Sequence, residues 1–224
     1  MRRDKALSTE VGIAIILTIV AIATGMILSG SKVLSESIIS SNHMSEMRSS
    51  YVLLKSNLDK VVFDSFPSRN TQITIYEGTF YLQRSGNVSL RNTTIPLYSF
   101  VYEKDDVRIV LENDAVFTYY GDRFVLDYAP RVLKAGDTVL FPVIEFSSFE
   151  SIGGKAKVII GFENLGGGVF EANNVTIESV NADAWESILK EVGVNYTRVG
   201  DRIFLNESKI LVKYSLVSLE ILSG

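Results

Sequence analysis

The side chains with the means to do chemistry in this 224-residue chain are its carboxylates, because few other reactive types are present. Asp105-Asp106 and Glu112-Asn113-Asp114 form the acidic clusters. Carboxylates beside an amide are oxygen ligands of the kind calcium takes, but the spacing matches no EF-hand loop. Acidic turn residues are the plainer account. A glycosidase needs two carboxylates that only the fold brings together, and nothing in the sequence singles out such a pair. No Gly-x-Ser-x-Gly elbow, His-Glu-x-x-His pair or Walker loop occurs. The three glycines at 166–168 precede neither a lysine nor a helix start, so they read as a flexible break. His43 is the one histidine, and cysteine is absent. Histidine-based catalysis, thiolate metal sites and disulfides therefore fall away. The expectation is a non-enzyme with no catalytic residue, cofactor or metal.

A second chemistry belongs to the asparagines. Asn87, Asn92, Asn174, Asn195 and Asn206 each open an Asn-x-Ser/Thr triplet at or near an expected turn or strand end. They are candidate N-glycosylation acceptors if the chain lies outside the cell. Asparagine and the hydroxyl residues also favour turns for conformational reasons, which is the competing account. A net charge of −4 leaves no basic footprint for nucleic acid.

The elements that must position these residues begin with an uncharged run at residues 11–28. As a helix it spans roughly 27 Å, about the hydrocarbon thickness of a bilayer. Arg2, Arg3 and Lys5 precede it and Lys32 follows, which places the N-terminus in the cytoplasm. From Ser31 the helix continues in amphipathic form. Met47, Tyr51, Leu54, Leu58 and Val61 recur at spacings of four, three, four and three, a heptad-like seam. That seam fits packing on the chain's own β region, on neighbouring copies, or on each along different parts of the helix. Phe66-Pro67 stops it.

Beyond Pro67 the period becomes 2. Residues 71–76 and 79–84 predict a hairpin about Glu77-Gly78, and residues 107–112 and 115–120 another about Asn113-Asp114. Strands follow at 123–128, 138–146 and 155–163, with a long central strand or bent pair at 210–222. One helix, residues 183–192, places Trp185, Ile188, Leu189 and Val192 on one face before Gly193. Trp185 reads as its core anchor.

Three accounts compete for the N-terminus: a cleaved secretory signal, an uncleaved anchor, and a short charged leader removed ahead of an apolar helix. Lys5, Ala6, Leu7 and Ser8, just before the apolar run, favour the third. Here the chain resembles the archaeal type IV pilin and archaellin superfamily with its class III signal peptide. The resemblance implies cleavage between Ala6 and Leu7 by a prepilin peptidase. It further implies assembly with copies of itself or other pilins into a surface filament. Glu10 would stand fourth after cleavage, whereas bacterial type IV pilins place a glutamate fifth. A carboxylate at a helix N-terminus, facing the positive end of the dipole, accounts for it as well.

The expected fold class is thus mainly β with a long N-terminal α-helix. One transmembrane and stalk helix would be followed by an antiparallel β-sandwich or barrel-like domain with one short helix. The expected divisions are a leader at 1–6, a hydrophobic helix at 7–30, a stalk at 31–66 and an extracellular β-rich domain at 68–224. A sub-lobe break is expected near 151–168. The expected place is the cell membrane in a single pass, β domain outside, with a surface glycan or other surface ligand as candidate partner. The alternative function is a membrane-anchored accessory module, similar to an archaellum stator, that never polymerises.

Overall fold

The computed structural model describes residues 3–90, 93–147, 156–172 and 174–223. The chain divides into two compact units, Met1–Ser45 and Glu46–Gly224. The first is the N-terminal part of helix α1, Arg3–Val62, whose last turns belong to the second. In the first unit the side chains of residues 13–26 and 38–45 are described; all of 13–26 are exposed, and Ser40, His43 and Met44 are half-buried.

In the second unit α1 becomes a core element. Met47, Tyr51, Leu54, Leu58 and Val61 are at most 3% exposed, so the heptad-like seam here faces the chain's own core. The Tyr51 ring meets Phe80 edge-on at 6.3 Å. Polar groups fix the register of helix on sheet. Asn57 Nδ2 donates to Asn70 O at 3.2 Å and Thr71 Oγ1 at 2.9 Å, and Asn164 Nδ2 donates to Val61 O at 2.9 Å. The helix ends where Ser65 takes φ 59 ahead of Pro67.

The rest is two sheets and one short helix. Eight strands lie in the order β11 (Tyr196–Val199), β12 (Arg202–Leu205), β10 (Val175–Ser179), β2 (Thr79–Leu90), β3 (Thr93–Lys104), β4 (Val107–Glu112), β5 (Ala115–Tyr120) and β6 (Arg123–Tyr128). All these neighbours pair antiparallel. Five strands form the other sheet, in the order β1 (Ser68–Ile75), β9 (Ala156–Ala172), β13 (Lys209–Ser223), β8 (Thr138–Phe146) and β7 (Leu133–Ala135). Helix α2, Ala182–Val192, buries Trp185, Ile188 and Leu189 in a core that both sheets share. Its C-terminus closes on Gly193 at φ 76, whose N–H donates to Lys190 O at 3.2 Å.

The expected fold class is corrected in two places. Among the described residues no helix is long and apolar enough to cross a membrane. The apolar stretch whose side chains are described, residues 13–26, rises ~21 Å, against ~30 Å of hydrocarbon. The β region is also not wholly antiparallel, because β13 runs parallel to β8 from Lys209↔Thr138 to Val217↔Phe146. A parallel pair needs a long crossover, and here β9 to β12 and α2 supply it.

Two local expectations change as well. Glu77-Gly78 does not turn a hairpin: β1 pairs with β9, while β2 pairs with β3 in the other sheet. The turn hands the chain from one sheet to the next. It is pinned by Tyr102 Oη, which donates to Glu77 O at 2.9 Å, and a Cβ at Gly78 would stand 2.4 Å from Glu103 O. The glycines at 166–168 lie within continuous β9 at a bulge against Leu216 and Val217. Gly167, at φ 153, passes so close to β13 that a Cβ would lie 2.3 Å from Tyr214 O. Residues 151–155 of the expected sub-lobe break lie outside the described residues.

Candidate functional site

Two places in the chain demand a functional account: the apolar stretch of α1 and a buried polar knot at the β4–β5 turn. In the first, the large aliphatic side chains Ile13, Ile16, Leu17, Val20 and Met26 are each more than half exposed. The exposed residues run all round the helix, so no single face is polar. Thr18 Oγ1 turns back to donate to Ala14 O at 2.8 Å, which satisfies that hydroxyl within the helix. Among the described residues of the Met1–Ser45 unit, nothing covers this surface. The leader residues Lys5, Ala6, Leu7 and Ser8, and Glu10, fall in the first turns of α1, but their side chains lie outside the described residues.

The polar knot is built from Glu112, Asn113 and Asp114, all buried. β4 and β5 read Ile-Val-Leu and Ala-Val-Phe on either side of this turn, apolar on both faces, so the turn is carried inward with them. Asn113 takes φ 54 to make the bend. Its Nδ2 donates to Pro142 O at 2.8 Å and its Oδ1 accepts from Ile144 N–H at 2.9 Å, so the turn locks onto β8. Glu112 gathers four donors on two oxygens. Oε1 accepts from Ser179 Oγ at 2.7 Å and Trp185 Nε1 at 2.5 Å. Oε2 accepts from Ser99 Oγ and Asn181 Nδ2, both at 2.7 Å. Asn181 precedes α2 without capping it through its side chain, because that side chain is committed to Glu112 and to Tyr119 Oη at 3.0 Å.

Asp114 faces α1. Its Oδ2 accepts from Arg131 N–H at 2.6 Å, and Lys55 Nζ stands 3.4 Å from Oδ1 and 2.6 Å from Asp59 Oδ2. Burial pushes the Asp114 carboxyl up to about 7, against the pull of Lys55 and the Arg131 amide. A cleft of 210 Å³ opens beside this ion cluster, lined by Lys55, Asp59, Asp64, Tyr128 and Arg131 among others.

Chemically, this knot holds elements together. Every Glu112 oxygen is met by protein N–H or O–H donors, which is the wrong environment for a calcium ion. No group of three or more acidic or histidine side chains among the described residues is placed to hold a metal. Asp105 and Asp106 sit apart, exposed in the β3–β4 turn. Trp185, fully buried on Glu112, is not placed to stack on a sugar.

The sequons divide. Asn174, Asn195 and Asn206 are exposed, and Asn87 is half-buried within β2. Asn92 lies outside the described residues. The residues around Glu112 that the sequence did not single out, namely Ser99, Ser179 and Asn181, come from two segments about eighty residues apart with no shared local pattern.

A family profile matches residues 5–208. The chain belongs to the family of unknown function DUF7289. No curated protein and no solved structure matches it. The DUF7289 match runs from Lys5 in the first turn of α1 through the whole eight-stranded sheet and the polar knot, and stops before β13.

Proposed function

We propose that the chain is a pilin-like structural subunit of an archaeal type IV-type surface filament. A prepilin peptidase removes a leader between Ala6 and Leu7, and the subunit assembles through the N-terminal part of α1. The observation that supports this reading is the uncovered apolar stretch at residues 13–26. Covering one large aliphatic side chain is worth ~1.5–3 kcal/mol, so the stretch as a whole gains on the order of 10 kcal/mol when it leaves water. Association with the cell membrane covers it before assembly, and the same stretch of other copies covers it afterwards. The last turns of α1 are buried in their own β unit, which restricts the assembly segment to the N-terminal part. The β unit faces outward from the cell.

The chain has no cysteine, so a single introduced one reports contacts between copies without background. Leu17→Cys, with Ile16→Cys and Val20→Cys to sample other faces, is oxidised in surface material sheared from cells. The proposal expects disulfide-linked dimers from at least one of the three, and none from Asp122→Cys at the exposed β5–β6 turn. Monomers throughout would contradict it.

A further inference from the structure

Three sequons, at the ends of β10, β11 and β12, meet at one rim of the eight-stranded sheet. Val175 and Tyr196 are both in register with Leu205, one on each side of β12. Asn174 stands one residue before β10, Asn195 one before β11, and Asn206 one after β12. Asn206 N–H donates to Asn195 O at 2.8 Å, which carries the ladder out to the asparagines themselves. The pleat sets their direction. Val175 and Leu205 point into the core, so the residues on either side of them point outward. All three asparagines are exposed.

The next outward row across the sheet is Thr176, Phe204 and Thr197. Thr176 and Thr197 are the hydroxyl residues of two of the sequons, and Phe204 between them is 38% exposed. An electron-rich ring face on a wet surface is a favourable seat for the C–H edges of a sugar. The rim is also held in place. Glu207 Oε1 accepts from Asn195 N–H and from Lys134 Nζ, both at 2.6 Å. Asn206 Nδ2 donates to Thr197 Oγ1 at 2.6 Å within this exposed row, whereas Asn87 lies within β2 between Pro96 and Glu178 and is half-buried.

We infer that this rim is an N-glycosylation surface, with Asn174, Asn195 and Asn206 the acceptors of N-linked oligosaccharide and Asn87 not one. The inference rests on the outward-facing placement proposed above. The donor is a lipid-phosphate-linked oligosaccharide. The acceptor Nδ2 bonds to C1 of the first sugar, the bond from C1 to the phosphate oxygen breaks, and the lipid phosphate leaves. The proton lost from the amide passes to a base of the transferase.

Glycopeptide mass spectrometry of the native protein tests this, run beside protease treatment of intact cells. The expected result is oligosaccharide mass on peptides bearing Asn174, Asn195 and Asn206, with a bare Asn87. The variants Asn174→Gln, Asn195→Gln and Asn206→Gln should each remove one glycan mass. Bare rim asparagines on a chain that protease cuts on intact cells would overturn this inference and leave the surface reading standing. Bare asparagines on a chain protected in intact cells would overturn both. Glycan on Asn87 with a bare rim would also overturn the inference.

Discussion

At the scale of single residues, Glu112 and Asp114 share one turn but meet opposite surroundings. Glu112 receives four hydrogen bonds from Ser99, Ser179, Asn181 and Trp185, so its charge is spread over donors from two strands and α2. Hydrogen bonds to a charged group contribute ~1.5–3 kcal/mol each when their loss leaves a buried group unpaired. Asp114 has one backbone donor and a longer approach from Lys55, and its burial is offset less completely. Its carboxyl, held at about 7 by burial, binds its proton more tightly folded than unfolded. Such a group adds stability that is fully present below the unfolded value near 4 and is lost as pH rises through 7. The slope is ~1.4 kcal/mol per pH unit across that window. Asp114→Asn should flatten it, so that urea midpoints of variant and parent diverge at pH 5 and converge toward a constant offset above pH 8. Equal pH slopes in the two proteins would contradict this account.

These carboxylates were visible in the sequence as a cluster, but their burial was not, since acidic turn residues ordinarily face water. The available signal was the pair of flanking runs, Ile109 to Leu111 and Ala115 to Phe117, apolar on both faces. Strands buried on both faces deliver a buried turn. Ser179 and Asn181, more than sixty residues away, leave no local trace of their bond to Glu112.

At the scale of elements, turn chemistry and side-chain period made local pairing legible and long-range pairing opaque. The β4–β5–β6 meander follows from Asn113 and Gly121, each at positive φ, and from the alternation beside them. The repeated Gly-Asp-Arg at 121–123 and 200–202 is the same turn chemistry used twice, joining β5 to β6 and β11 to β12. β1 and β2 alternate just as clearly, yet they enter different sheets, because period 2 specifies a face and not a partner. The parallel pairing of β13 with β8 was hidden for the same reason.

Close approach of β10 to β2 depends on Gly86, at a bulge opposite Leu97. A Cβ there would stand 1.8 Å from Glu178 O. Gly86→Ala should therefore prise β10 from β2 and cost ~2 kcal/mol or more in a denaturant titration. Gly168→Ala in β9, with nothing within 4 Å of its Cβ, should stay within ~1 kcal/mol of the parent. Similar losses in both would show that strand approach at Gly86 is not the limiting contact.

At the scale of the whole molecule, one helix serves two units in different ways. Its last turns complete the core of Glu46–Gly224, through Met47, Tyr51, Leu54, Leu58 and Val61. Its described N-terminal residues leave their aliphatic side chains uncovered. The sequence exposed the apolar run and the seam plainly, because both are periodic and local. It did not reveal that the seam would be consumed inside the chain, since a heptad-like stripe fits a sheet or a second helix equally well. What covers the N-terminal stretch is therefore the question on which the proposed function turns.

The N-terminal sequence and intact mass of the native protein, taken separately from membranes and from sheared surface material, test it most directly. A chain that begins at Leu7 in the sheared fraction is the result predicted for a leader-processed, assembled subunit. A chain that begins at Met1 or Arg2 and is confined to membranes would contradict assembly, and would assign the apolar stretch to anchoring a surface module that does not polymerise.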